Sequence, residues 1–192
     1  MPGSASSPAL KSLRRLSCLG LAMVAVGCSS LVPAPKPVKI SATALLAPTQ
    51  GSQVSGELGL ASDAKGAVRI QGKIQGLRPN SEHGFHVHEK GDCSSADASS
   101  AGGHFNPTGQ PHGHFDSSAH HAGDLPSLRA DTQGVATLNY VSRSISLGQG
   151  ASDVIGKSVI VHKNADDYTT QPAGNAGPRL ACGVITRTPA RN

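Results

Sequence analysis

Apolar and polar positions alternate at period two through much of the chain beyond residue 38. The clearest case is Ala67–Leu77, AVRIQGKIQGL. There Val68, Ile70 and Ile74 share one parity and Arg69, Gln71, Lys73 and Gln75 the other, as a strand with one buried and one wet face requires. The same reading predicts strands over Val38–Leu46, Gln53–Leu60, Glu82–Glu89, Ser127–Ala130, Val135–Val141, Ser158–His162 and Leu180–Thr186. Turn chemistry separates them at Pro48–Gly51, Asp63–Gly66, Arg78–Asn80 and Asp131–Gly134.

No segment combines a helical period with caps, and no internal repeat is visible. Eight short strands therefore predict an all-β fold, an antiparallel β-sandwich or flattened Greek-key barrel. Two stretches, Lys90–Pro126 and Asp166–Pro178, lack any period. A pattern-free loop as long as the first one is normally functional.

Composition supports a turn-rich β protein. Of 192 residues, 23 are Gly and 13 Pro, with 3% aromatics and no Trp. The formal charge of +5 shrinks once Lys11, Arg14 and Arg15 are set aside, leaving 14 basic residues against 12 acidic. No Lys/Arg run with interleaved aromatics appears, so a nucleic-acid partner is not expected.

Those three charges precede an apolar stretch, Leu16–Val26, too short to span a bilayer. It fits a secretory signal peptide. It ends Ala25-Val26-Gly27-Cys28, which resembles a bacterial lipobox, with Cys28 as the acylated residue; a plain signal peptide with an incidental Cys28 is the alternative. Ser29 after the Cys favours an outer-membrane destination. Pro33, Pro35 and Pro37 suit an extended spacer. The expected organisation is a lipoprotein signal peptide at 1–27, a Pro-rich tether at 28–37 and one domain at 38–192. A lipid anchor at Cys28 would hold that domain in the periplasm, at the cell envelope.

Eight of the nine histidines fall between His83 and Asp124, and His162 lies alone further on. Neutral imidazoles are common metal ligands. His86 and His88, at i and i+2 of an expected strand, share a face and can reach one ion, with Val87 pointing into the core between them. His162 ends another expected strand and can face that pair. His104, His112 and His121, with Asp124, make three imidazoles and one carboxylate, the donor set of a tetrahedral zinc site. His114 and His120 compete with His112 and His121 for that role; spacing favours His112 and the HxGD pattern favours His121.

GFHVHE (84–89), GGHFNP (102–107), HAGDLP (121–126), VIVHKNADD (159–167) and GNAGPRLACGVI (174–185) resemble the copper,zinc superoxide dismutase family, in its bacterial secreted branch, across roughly residues 38–187. The resemblance implies an immunoglobulin-like Greek-key sandwich with long metal-binding and electrostatic loops. It implies one copper per subunit on His86, His88, His104 and His162, and one zinc on His104, His112, His121 and Asp124. His104 would bridge both ions as an imidazolate and take part in proton handling. Superoxide would be the substrate, disproportionated to O₂ and H₂O₂ by alternate reduction and reoxidation of the copper.

By the same resemblance Arg179 docks the anion beside copper, Asp166 links His86 to His112, and His83 is structural. Cys93 and Cys182, an even pair for an oxidising compartment, match the family's disulfide. Loop 166–178 is nearly uncharged beyond Asp166 and Asp167, whereas some relatives carry a charged cluster there; steering of the anion then falls to residues such as Lys90 or Lys163. The rival reading is a copper/zinc buffer, which needs the ligands but not Arg179. An adhesion domain is hard to reconcile with six spaced histidines. No interface pattern is legible, so a monomer and a homodimer both stay open.

Overall fold

The computed structural model describes residues 42–189. The expected signal peptide, Cys28, the tether and residues 38–41 of the first expected strand lie outside the described residues.

Among the described residues nine strands form: β1 Ala42–Pro48, β2 Ser55–Ser62, β3 Val68–Gln75, β4 Glu82–His83, β5 Phe85–His88, β6 Leu128–Arg129, β7 Ala136–Ser142, β8 Ser158–His162 and β9 Arg179–Arg187. Seven make one antiparallel sheet in the order β5-β8-β9-β1-β2-β3-β7, which curls into a half-barrel, and β4 pairs with β6 in a second, small sheet. Among the described residues the only helical element is one 3₁₀ turn, Ser99–Ala101. The concave face holds the core, with Leu46, Leu58, Leu60, Ile70, Ile74, Phe85 and Ile185 essentially inaccessible. Alternation does what the sequence pattern requires: in β3, Val68, Ile70 and Ile74 are buried, and in β1, Ala42, Ala44 and Leu46 are buried while Leu45 is exposed.

The count of nine instead of eight comes from Gly84. The expected strand Glu82–Glu89 divides there: Glu82 and His83 pair with Arg129 and Leu128, and Phe85–His88 pair with β8. Gly84 donates its N–H to Asn164 O (2.7 Å) and accepts from His162 N (2.8 Å). A Cβ at Gly84 would sit 2.8 Å from Ala176 Cβ, so a residue without a side chain permits this crossing.

All five residues of β8 are buried, which one sheet face cannot explain. Val159 and Val161 enter the main core, while Ile160 packs outward against Ala98, Ala101, Cys93 and Cys182. The loop after β5 thus covers the convex face of β5-β8-β9. A Cys93–Cys182 disulfide fastens it there. Strand β9 runs from Arg179, at this covered end, to Arg187, which pairs with Ala42. The first described residue therefore enters the sheet at the end remote from Arg179.

Candidate metal centre

The convex face of β5-β8-β9 presents the chemistry. His86 lies opposite Ile160, His88 opposite Ser158, and His162 opposite Arg179 across a register shift between Val161 and His162. Val87, between the two histidines, is buried in the core. The outer edge of β5 is paired by the loop that follows it. Val87 N donates to Gly123 O (2.9 Å), and Phe105 N donates to Val87 O (2.8 Å). Bridges His88↔His104 and His86↔Asp124 result. Gly123 is required, because a Cβ there would collide with Val87 O.

These bonds bring His104, His112, His121 and Asp124 together. Asp124 Oδ1 lies 3.0 Å from Nδ1 of His104, 3.0 Å from Nδ1 of His112 and 3.4 Å from Nδ1 of His121. The His104 and His121 Nδ1 atoms are 3.3 Å apart. A tetrahedral zinc shell with bonds near 2.05 Å has ligand–ligand edges of about 3.3 Å. Asp124 Oδ2 is held away from that point by N–H donors from His121 (2.9 Å) and Gly113 (3.2 Å).

His86, His88, His104 and His162 form the second set, with donor atoms within 4.8 Å of one another. Nε2 of His88 and of His162 are 3.3 Å apart. The other nitrogen of each imidazole is occupied: His88 Nδ1 donates to Gly102 O (2.9 Å), His162 Nδ1 to Gly177 O (3.0 Å) and His86 Nε2 to Asp166 Oδ2 (2.7 Å). Such bonds fix which nitrogen carries a lone pair. Asp166 Oδ1 also accepts from His112 Nε2 (2.9 Å), so one buried carboxylate joins the two sets.

Among the described residues two buried side-chain nitrogens find no protein partner, His86 Nδ1 and His104 Nε2. An orphaned buried lone pair is costly unless something coordinates it. His104 thus turns Nδ1 to the carboxylate set and leaves Nε2 for the all-histidine set. Burial lowers His88, His104 (to about 4) and His162 (to about 3), with neighbouring imidazoles adding to the effect, so these rings stay neutral as ligands must. At His112 burial acts against the charge, but Asp124 and Asp166 outweigh it and raise its pKa to about 9. Burial would raise Asp124 and Asp166; their histidine partners prevail and hold both well below the usual carboxylate range. Both sets fit divalent ions: four imidazoles for copper, three with an anion for zinc.

His83, His114 and His120 stay outside both sets. His83 is buried between Ser81 Oγ (2.6 Å) and His162 O (2.8 Å), holding the backbone of a ligand. His114 stacks on Phe115, and His120 bonds His121 O (2.6 Å) and Ser144 Oγ (3.2 Å). The ambiguity left by spacing therefore resolves to His112 and His121. Arg179 donates to Ala98 O and Gly102 O. Of its five N–H donors, three remain. Tyr168 and Gln171 were not singled out by the sequence; Tyr168 N donates to Asp166 Oδ1 (2.7 Å), and its hydroxyl accepts from Ser127 N (3.0 Å). Neither carries a periodic or motif signal.

Fold and site together define an all-β protein with two adjoining divalent-metal sites that share an imidazole. Residues 54–185 match the family of copper/zinc superoxide dismutases, and the chain belongs to that family. It is 37% identical to "Superoxide dismutase [Cu-Zn] 2" of Aquifex aeolicus, over 86% of this chain and 98% of that one. It is 41% identical to "Superoxide dismutase-like protein YojM" of Bacillus subtilis, over 65% of each. The crystal structure of the clock protein EA4 superposes with a TM-score of 0.71 at 38% identity, covering 81% of this chain and 99% of that one. With both ligand sets intact, the activity is that of a copper/zinc superoxide dismutase.

Proposed function

We propose that superoxide is disproportionated at the four-histidine set, with Arg179 docking the anion and His104 handling a proton. The observation that carries this is the His104 ring, engaged at Nδ1 by Asp124 and unpartnered at the buried Nε2. Copper supplies the alternating one-electron exchange that turns two superoxides and two protons into O₂ and H₂O₂, and zinc supplies fixed positive charge.

The chain's own residues do the rest. The Arg179 guanidinium is permanently cationic and oriented by two carbonyls, so its remaining donors can receive an anion without searching for a pose. His104 Nε2 is buried and without a protein partner, a place where a proton can be held and given up. Asp166 fixes the orientation of His86 and His112 together. Metal analysis of the purified protein beside a superoxide-consumption assay tests the reading. One copper, one zinc and high turnover support it; bound metals without turnover favour the buffer.

The proposed organisation keeps residues 1–27 as a lipoprotein signal peptide, Cys28 as the lipidated residue, 28–37 as tether and 38–192 as the enzyme domain, in the periplasm at the outer membrane. The disulfide supports an oxidising compartment. Ala42, the first described residue, lies at the end of the sheet away from Arg179. Mass spectrometry of the membrane-associated protein tests it: an unmodified Cys28 refutes the anchor.

A further inference from the structure

His112 differs from the other zinc-set residues in how its backbone is held. His104 and Asp124 are fixed through main-chain bridges to β5. His121 and Asp124 close a turn on each other. His112 sits midway along the loop between His104 and His121, and both of its main-chain groups meet one side chain. Gln171 Oε1 accepts from His112 N (2.9 Å), and Gln171 Nε2 donates to His112 O (2.8 Å). A primary amide carries one acceptor and one donor set side by side, so it can pair with a residue's N–H and C=O as a neighbouring strand would.

The same loop holds the other end of His112. Asp166 accepts from its ring at Nε2, and Tyr168 N–H in turn holds Asp166 Oδ1. Gln171 also lines, with His162, Thr170, Asn175 and Gly177, a cavity of about 230 Å³ beside a ligand of the other set. The side chain therefore stands between the zinc loop and the wall next to His162.

We infer that Gln171 is a positioning residue for the zinc site, acting as a one-residue strand that sets the backbone of His112 and so aims its Nδ1. This rests on the zinc reading of the carboxylate set. Charge plays no part: a neutral, two-sided partner is needed, which Glu or Leu cannot fully imitate. Glu keeps the acceptor for His112 N–H but turns a second oxygen on His112 O. Leu keeps much of the volume and loses both bonds.

The test uses the purified chain loaded with copper and zinc. Zinc affinity is measured by competition with a chromogenic zinc chelator, and the site is also read by visible absorption after cobalt replaces zinc. Two net hydrogen bonds lost from a ligand's backbone predict zinc affinity about tenfold lower in Gln171→Leu. The cobalt spectrum should shift, Gln171→Glu should fall between the two, and copper affinity should hold while the metal-free protein melts only slightly lower. Wild-type zinc affinity and cobalt spectrum in Gln171→Leu would overturn the inference. So would a parallel loss of zinc, copper and metal-free stability, since that marks a general packing role. If Gln171→Leu does not fold, Gln171→Glu decides: weakened zinc with copper retained supports the inference, and unchanged zinc overturns it. A wild-type protein that takes up no zinc would instead remove the zinc reading on which the inference stands.

Discussion

Gly174 lies against Asp166 so closely that a methyl group on its α-carbon would collide with Asp166 Oδ1. The same methyl would crowd His112 Nε2 at 2.6 Å, and Gly174 has φ +63°, a conformation that L side chains rarely adopt. Asp166 cannot simply swing away, because it accepts from His86, His112 and Tyr168 at once. Gly174→Ala should therefore displace the carboxylate that orients both sets. Lost outer-shell partners cost about 10–100-fold in metal affinity. Chelator competition should show zinc weakened by a factor in that range, with the protein still folded.

Removing the metals tests how far the centre holds the domain together. Asp124, His104, His112 and His121 are buried, and zinc binds the folded chain in preference to the unfolded one. Free zinc at 1,000 times its dissociation constant stabilises by about 4 kcal/mol. For a chain of this size that corresponds to about 8–16 °C in melting temperature. Calorimetry before and after chelation should show a fall of that order, and readdition of zinc alone should recover most of it.

Much of this was legible from residue order, for reasons that particular residues make plain. Val68, Ile70 and Ile74 announced a strand because one side of β3 faces a core and the other faces water. β8 did not alternate, since Ile160 is covered by a loop as thoroughly as Val159 and Val161 are by the sheet. The break at Gly84 was hidden inside one expected strand, Glu82–Glu89, where the close approach of Ala176 demands glycine. At the site, His86 and His88 are two apart on one strand face, a relation that sequence states directly. Gln171 meets His112 across 59 positions, and nothing local marks a glutamine that pairs with a distant backbone. Asp166 was reachable only through family resemblance, since an Asp in a loop reads equally well as a solvated turn.

Arg179 separates an enzyme from a metal store. Arg179→Ile should leave copper and zinc contents unchanged, because no ligand is touched, while kcat/KM for superoxide falls about tenfold or more as the docking charge is lost. Arg179→Lys should retain part of the rate, keeping charge but not the paired donors. In the native enzyme, raising ionic strength should slow the reaction if cations such as Lys90 and Lys163 guide the anion over distance. Unchanged turnover in Arg179→Ile would contradict the docking role.

Asp167 gives the loop after β8 an acid-sensitive fastening. Hydrogen bonds from Thr170 and Thr169 hold its carboxyl down at about 2, from an ordinary 3.8. Since the folded value is the depressed one, its stabilisation is present above about pH 4 and is lost as pH falls through about 2. Metal-free protein, used so that metal loss does not intrude, should melt progressively lower between pH 4 and pH 2. Asp167→Asn should make that dependence shallower, the remainder belonging to Asp124 and Asp166, and an identical pH profile would show the Asp167 contacts to be without consequence.

The Cys93–Cys182 bond bears on the reaction through two carbonyls. Cys182 belongs to β9 and Cys93 to the loop that covers β8, and 89 positions separate them. The chain-entropy value of closing so long a loop is ~4.5 kcal/mol, an upper figure. Chemistry, however, depends on what that loop carries: Ala98 O and Gly102 O hold the Arg179 guanidinium, and Gly102 O also accepts from His88 Nδ1. Reduction should therefore loosen Arg179 before it dislodges the metals, whose ligands sit on β5, β8 and the segments bridged to β5, with His112 held by Gln171. Mild reduction of the loaded enzyme should lower turnover severalfold with metal content nearly constant, and reoxidation should restore it. Arg179→Ile supplies the control, because residues acting as one unit are not additive. If the disulfide works by holding that guanidinium, reducing the variant should cost it little more; a second, equal loss would place the effect of the disulfide elsewhere.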